Sequence, residues 1–178
     1  MLLSAMRINS SADFGQQAPF PFPLFVDATR PSSARDLQAP AGDRSSRVSS
    51  GEPKVLIVDD SDMTLTRANS VLSATCVVVA SVSCPHAALQ AASALDPDVV
   101  VLDISMPGMN GFELAQRLAE AGSTARLVFL TVHEEEELIL AARNAGAMGY
   151  VVKTRLASDL ELAVREAHAG RPFQSPLR

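Results

Sequence analysis

From Lys54 onward, short continuous apolar runs alternate with segments of helical period. Lys54-Val55-Leu56-Ile57-Val58, Val77-Val78-Val79-Ala80, Val99-Val100-Val101-Leu102, Leu127-Val128-Phe129-Leu130 and Gly149-Tyr150-Val151-Val152 are brief and rich in β-branched residues. Runs of this kind predict strands covered on both faces. Between them, Ala88, Ala91, Ala92 and Leu95 fall at i, i+3, i+4 and i+7, as do Leu160, Ala163, Val164 and Ala167. Each set makes one apolar stripe for packing a helix on a sheet. Ser158 and Glu161 have the spacing of a capping box for the last helix, and Gly146 and Gly170 stand where C-terminal caps belong. Five such strand-helix units predict an α/β fold of (βα)5 type, a doubly wound five-stranded parallel sheet. Because βαβ crossovers are right-handed, helices cover both faces and the functional loops lie at the C-terminal ends of the strands.

The first 53 residues do not share this pattern. They hold Pro19, Pro21, Pro23, Pro31, Pro40 and Pro53, many serines, and no sustained period. Residues 1–53 therefore read as a disordered extension. Within it, Pro19-Phe20-Pro21-Phe22-Pro23-Leu24-Phe25-Val26 favours an extended polyproline-like conformation and reads as either an unstructured stretch or a docking peptide. Residues 54–172 are expected to form one compact domain, with residues 173–178 as a short C-terminal tail.

Composition narrows the class further. The 178 residues are 47 % apolar, with seven Phe, one Tyr and no Trp, so the core must be aliphatic. A net charge of −5 argues against a basic footprint for nucleic acid or an anionic membrane surface. Cys76 and Cys84 make neither a disulfide framework nor a metal cage, which points to a reducing cytoplasm. No apolar stretch approaches the ~18–20 residues of a membrane span, and no h-region of a signal peptide follows Arg7.

The polar residues at the strand ends carry the chemistry. The first strand ends in Asp59-Asp60, the third in Asp103, the fourth in Thr131 and the fifth in Lys153, all on one rim. Three carboxylates there would repel one another unless a cation joined them. Oxygen donors without a nearby His or Cys suit Mg²⁺ or Mn²⁺ rather than zinc. Taken singly, Asp59-Asp60-Ser61 would also serve as an N-cap with no chemistry at all. The joint placement of a lysine and a threonine on the same rim has no common structural explanation.

These residues resemble the receiver domains of two-component response regulators. The resemblance covers about residues 54–172 and rests on Lys54-Val55-Leu56-Ile57-Val58-Asp59-Asp60, Leu102-Asp103-Ile104-Ser105-Met106-Pro107-Gly108-Met109-Asn110-Gly111, Leu130-Thr131-Val132 and Gly146-Ala147-Met148-Gly149-Tyr150-Val151-Val152-Lys153. The spacings are 43, 28 and 22 residues from Asp60 to Asp103 to Thr131 to Lys153. Gly170-Arg171-Pro172-Phe173-Gln174-Ser175-Pro176 is similar to the receiver end of the NarL/FixJ-like subfamily, where a linker to a DNA-binding helix-turn-helix would begin.

The resemblance implies a flavodoxin-like receiver fold and a regulatory phosphoacceptor rather than an enzyme. Asp103 would accept a phosphoryl group from a sensor histidine kinase or histidine phosphotransfer protein. Asp59, Asp60, Asp103 and the backbone carbonyl of Ser105 would hold Mg²⁺, or Mn²⁺, and Lys153 would meet the phosphoryl oxygens. Thr131 would sense the group and Tyr150 would be the switch aromatic, biasing the face made by the fourth helix, fifth strand and fifth helix, a candidate homodimer surface. Alternatives are a fragment of a NarL-like DNA-binding transcription regulator and an interaction module independent of phosphorylation. The chain shows no groove-reading element of its own after the receiver, so no direct nucleic-acid binding and no membrane association are expected.

Lesser features read as follows. Glu134-Glu135-Glu136-Glu137 begins the fourth helix as a solvated start. Leu138, Ile139 and Leu140 cannot all face the sheet, so some apolar surface stays exposed. His86 and His168 read as surface residues, His133, two residues after Thr131, as either a surface residue or one bordering the phosphoryl site, and Val132 as bulk restricting access to the site.

Overall fold

The computed structural model describes residues 51–177. The elements run β1 (Lys54–Val58), α1 (Asp62–Leu72), β2 (Val77–Val82), α2 (Pro85–Leu95), β3 (Val99–Leu102), α3 (Gly111–Glu120), β4 (Arg126–Thr131), α4 (Glu136–Asn144), β5 (Gly149–Val152), α5 (Leu156–His168) and β6 (Phe173–Gln174), with a 3-10 turn at Lys153–Arg155 leading into α5. The strands form one parallel sheet of order β2-β1-β3-β4-β5-β6. This is the expected doubly wound α/β fold, with a sixth strand where the sequence predicts five. The extension preceding residue 51, including Pro19–Val26, lies outside the described residues.

Alternation along the strands divides the core in two. Val55 and Ile57 of β1 pack with Ala68, Leu72, Leu160 and Val164 of α1 and α5, whereas Leu56 and Val58 pack with Ala88, Leu114 and Ile139 of α2, α3 and α4. β1, β3 and β5 are buried almost throughout, as strands covered on both sides must be. β2 departs from that expectation: it is the sheet edge, and Val77 is 45 % exposed although the run Val77-Val78-Val79 looks like a central strand. The α2 stripe holds at Ala88 and Ala92 and runs out at Leu95, while the α5 stripe is buried at all four positions.

α5 begins differently from the sequence expectation. Its N-cap is Arg155, and Ser158 lies inside the first turn, so no capping box forms. The Ser158 hydroxyl lies 3.1 Å from the Arg155 carbonyl and 2.6 Å from Asp159 Oδ1. Asp159 is the reason: this buried carboxylate takes two hydrogen bonds from Arg155, at 2.7 and 3.2 Å, and one from Ser175 at 2.7 Å. Gly146 and Gly170 do follow α4 and α5 with positive φ. His168 is half-buried rather than on the surface, and its Nε2 has no hydrogen-bond partner.

Arg155 first, then Ser158 and Ser175, hold the Asp159 carboxyl down at about 2. Because the folded value lies below the unfolded value near 4, the group stabilises the fold fully above pH ~4 and loses that contribution as pH falls toward 2. Allowing for the half-exposed Arg155, the expected loss is about 1–2 kcal/mol. Urea unfolding of wild type and Asp159→Asn between pH 2 and 6 checks it: the stability gap between them should narrow by this amount at the acid end.

Candidate functional site

The sheet order reverses between β1 and β3, so their outgoing chains separate and leave a crevice at their C-terminal ends. Val58 and Leu102 are register partners, so the next residues, Asp59 and Asp103, leave the sheet side by side. Asp103 N–H donates to the Val58 carbonyl at 2.9 Å and Asp59 N–H to the Val82 carbonyl at 3.2 Å. The carboxylates are aimed by their own loops: Asp59 Oδ1 accepts Ser61 N–H at 2.9 Å and Asp103 Oδ1 accepts Ser105 N–H at 3.2 Å. Capping is not their task. Ser61 is the N-cap of α1 and accepts Thr64 N–H.

Asp59 and Asp103 are buried and Asp60 is exposed. One carboxylate oxygen from each of the three lies within 4.8 Å of the others. Lys153, the first residue past β5, reaches over them: its Nζ stands 2.8 Å from Asp103 Oδ2 and 2.7 Å from Asp59 Oδ2. Burial pushes the Asp59 carboxyl above its usual value, against the opposing pull of Lys153 and the Ser61 N–H. For Lys153 burial acts to lower the ammonium's pKa, and the Asp103 and Asp59 carboxylates outweigh it and raise it.

This donor set fits a hard divalent cation. Three carboxylates against one ammonium leave a formal charge of −2. Asp59 Oδ2 is buried and, though ion-paired with Lys153, accepts no aligned hydrogen bond, so it keeps a lone pair for another partner. Asp60 opens the cluster to water, which suits an ion that keeps several waters.

The loops after β3 and β4 meet beside the acids. Thr131, the last residue of β4, is fully buried and its Oγ1 accepts His133 N–H at 3.2 Å. Tyr150 on β5 is buried and donates its hydroxyl to the His133 carbonyl at 3.1 Å. Burial, with the charge of Glu135 adding, pushes its phenol up to about 12. The His133 Nε2 lies 2.9 Å from Ser105 Oγ, and its Nδ1 lies 3.4 Å from Glu135. His133 therefore borders the site, the lesser of its two sequence readings, whose sole signal is its distance of two residues from Thr131; its contact with Ser105 has no signal in the sequence. Val132 is 61 % exposed. α4 starts at Glu136 with Glu135 as its cap, and of the three apolar residues that follow, Ile139 is buried and Leu140 is 60 % exposed.

Comparison with known proteins agrees with this geometry. Residues 55–165 match the response regulator receiver domain. The chain is 36 % identical over 126 residues to the nitrate/nitrite response regulator protein NarL of Escherichia coli K12, an alignment covering 69 % of this chain and 58 % of that protein. It is 34 % identical over 125 residues to the response regulator GacA of Pseudomonas aeruginosa, with the same coverages. The chain therefore spans somewhat over half the length of these relatives. Among solved structures, the signal receiver domain of NarL from Mycobacterium tuberculosis superposes with a TM-score of 0.62 at 30 % identity, covering 68 % of this chain and 99 % of that one. A LuxR-family two-component response regulator from Aurantimonas does so with a TM-score of 0.65 at 29 % identity, covering 71 % and 91 %. With the fold, the topological switch point and the matched family in agreement, this chain belongs to the response regulator receiver domains of two-component signalling.

Proposed function

We propose that this receiver is a phosphoacceptor switch, with Asp103 taking a phosphoryl group from the phosphohistidine of a sensor histidine kinase or phosphotransfer protein. The observation that carries the reading is the contact of Lys153 Nζ with the buried carboxylates of Asp103 and Asp59, at 2.8 and 2.7 Å, beside the exposed Asp60. A carboxylate oxygen of Asp103 attacks phosphorus, the P–N bond breaks, and the imidazole leaves with its electron pair and takes up a proton. Lys153 follows the phosphoryl oxygens as a compact point charge. Asp59, Asp60, Asp103 and the Ser105 carbonyl are the groups that would hold Mg²⁺ or Mn²⁺, which when bound neutralises charge on the transferred group.

Thr131 and Tyr150 then pass the change outward. The Thr131 hydroxyl turns to the new oxygens, releasing His133 N–H, and the loop that also carries the Tyr150 hydrogen bond shifts with it. The readout face is α4, β5 and α5, where Leu140 is exposed for a partner or a second copy. β5 is not the edge of that face, because β6 pairs with it. The cytoplasm, where the thiols of Cys76 and Cys84 stay reduced, is the setting this reading implies. Among the described residues no helix is long and apolar enough to cross a membrane. An interaction module independent of phosphorylation leaves the convergence of Lys153 on two buried carboxylates without a purpose.

Incubation of the chain with acetyl phosphate and Mg²⁺ is expected to add ~80 Da, the mass of one phosphoryl group on a carboxylate. Chelation of the metal should prevent the addition. An intact mass unchanged after saturating acetyl phosphate and Mg²⁺ overturns the reading.

A further inference from the structure

Beyond α5 the chain does not trail away from the domain. Phe173 N–H donates to the Met148 carbonyl and Ser175 N–H to the Tyr150 carbonyl, each at 2.8 Å, which lays β6 along β5 beside the switch tyrosine. Ser175 is fully buried; its hydroxyl donates to Asp159 Oδ2 at 2.7 Å and receives the Val152 N–H at 3.4 Å. One flank of the strand is thereby fastened to α5, where Arg155 holds the same carboxylate from its other side.

The other flank is fastened to α4 by a single described side-chain bond. Arg143 Nη2 donates to Gln174 Oε1 at 2.7 Å. Beneath that bond α4 does not close on the sheet: a cavity of about 160 Å³ lies between Ile139, Ala142, Tyr150 and Phe173. It is adjoined by an open groove of about 470 Å³ at Leu140 and Leu177. Protein interiors are close-packed, so a gap of this size beside a helix leaves that helix room to shift with little repacking. α4, anchored in the core by Ile139 and Ala142, therefore has room to shift at this side, and what ties it across the gap is the tail strand.

We propose that Phe173–Leu177 is the readout element of this receiver, a strand clipped between α4 and α5 whose clip to α4 opposes the phosphorylated arrangement. The proposal rests on the phosphoacceptor reading above. The clip belongs to the arrangement with a bare Asp103 carboxylate, because Lys153 Nζ sits at hydrogen-bond distance from Asp103 Oδ2, the place a phosphoryl group would need. Two paths connect the site to the strand: Lys153 follows Val152, whose N–H rests on Ser175, and His133 joins Thr131 and Tyr150 to the loop that starts α4. Any segment or partner attached at the strand's C-terminal end is then moved by the same equilibrium. Linkage makes the coupling reciprocal, so loosening the clip must strengthen binding of a phosphoryl mimic at Asp103.

The chain's one tyrosine and lack of tryptophan make Tyr150 a private fluorescent reporter. Titrating the 178-residue chain with beryllofluoride in Mg²⁺ while following Tyr150 emission gives the affinity for wild type, Arg143→Ala, Gln174→Ala and the double variant. Both side chains lie outside the acidic pocket and outside the core clusters, so the variants keep the fold. Each single variant is expected to bind about threefold tighter, the scale of one partly exposed hydrogen bond, and the double variant no tighter than either alone. Affinities equal to or weaker than wild type, or effects that add, overturn the clip and leave the phosphoacceptor reading standing. A wild-type chain that gives no response to beryllofluoride overturns both.

Discussion

Asp103→Asn is expected to bring phosphoryl labelling by acetyl phosphate down to background, because the amide that replaces the carboxylate is not a nucleophile toward phosphorus. Two other acids, Asp60 and Asp59, stand close enough to compete for the role. Asp60 is exposed and has no contact with Lys153 among the described ion pairs, so a phosphoryl group there would lack the buried ammonium. Asp59 is buried and touches Lys153 as Asp103 does, so the position of the modified residue decides between these two. Asp59→Asn is accordingly expected to retain the modified residue and slow the labelling roughly 10–100-fold, the scale of losing one group that orients or binds a metal. Intact mass after timed incubation, with peptide mapping of the modified residue, reads both variants. Labelling of Asp103→Asn at the wild-type rate would move the acceptor to another acid.

Lys153 bears on stability as well. In the structure its ammonium offsets two buried carboxylates, and removing one partner of a buried charge group leaves the others uncompensated. The site thus favours positive charge, from the side chain or from a cation. That tension is what makes three acids at one rim informative where any one of them would be an ordinary loop residue.

The rim was legible in the sequence because it depends on order alone. Once five apolar runs are parallel strands, the residue after each run falls on the same edge, and Asp59, Asp103, Thr131 and Lys153 meet wherever their helices pack. What depends on packing between elements was not legible. β2 reads as a central strand because Val77-Val78-Val79 fits either position, and only the strand order makes it an edge. The capping box at Ser158 lost to a longer-range demand, since Asp159 is held by Arg155 and Ser175, sixteen residues away along the chain. His133 and Ser105 are 28 residues apart and belong to no period, so their contact has no sequence signature. The tail strand escaped for the same reason: two residues in β conformation are too few to show alternation, and their place is set by backbone bonds to Met148 and Tyr150.

Gly111→Ala is expected to be the most destabilising single methyl in the domain, and it bears on the site directly. Gly111 is the first residue of α3, capped by Asn110, whose Oδ1 accepts Glu113 N–H at 2.9 Å, and its own N–H donates to the Ile104 carbonyl at 2.9 Å. The helix therefore starts hard against the loop that carries Asp103. A Cβ at this position would overlap the Asp103 carbonyl oxygen and stand 2.9 Å from Ile104 Cα. These are backbone atoms, which cannot swing aside as the end of a flexible side chain would. Gly149 offers the contrast: the nearest atoms a Cβ there would meet belong to the side chain of Val128 rather than to backbone. To admit the methyl, either α3 or the Asp103 loop must retreat, and the loop is fixed by Asp103 N–H to Val58. Overpacking of this kind costs about 3 kcal/mol, which for a domain of this size lowers Tm by roughly 10 °C. The displacement falls on Asp103 itself, so labelling by acetyl phosphate should slow even at temperatures where the variant is folded. Thermal unfolding and labelling rate measured on the same preparation separate the two effects, and a variant with unchanged Tm would mean that α3 is free to move away from the loop.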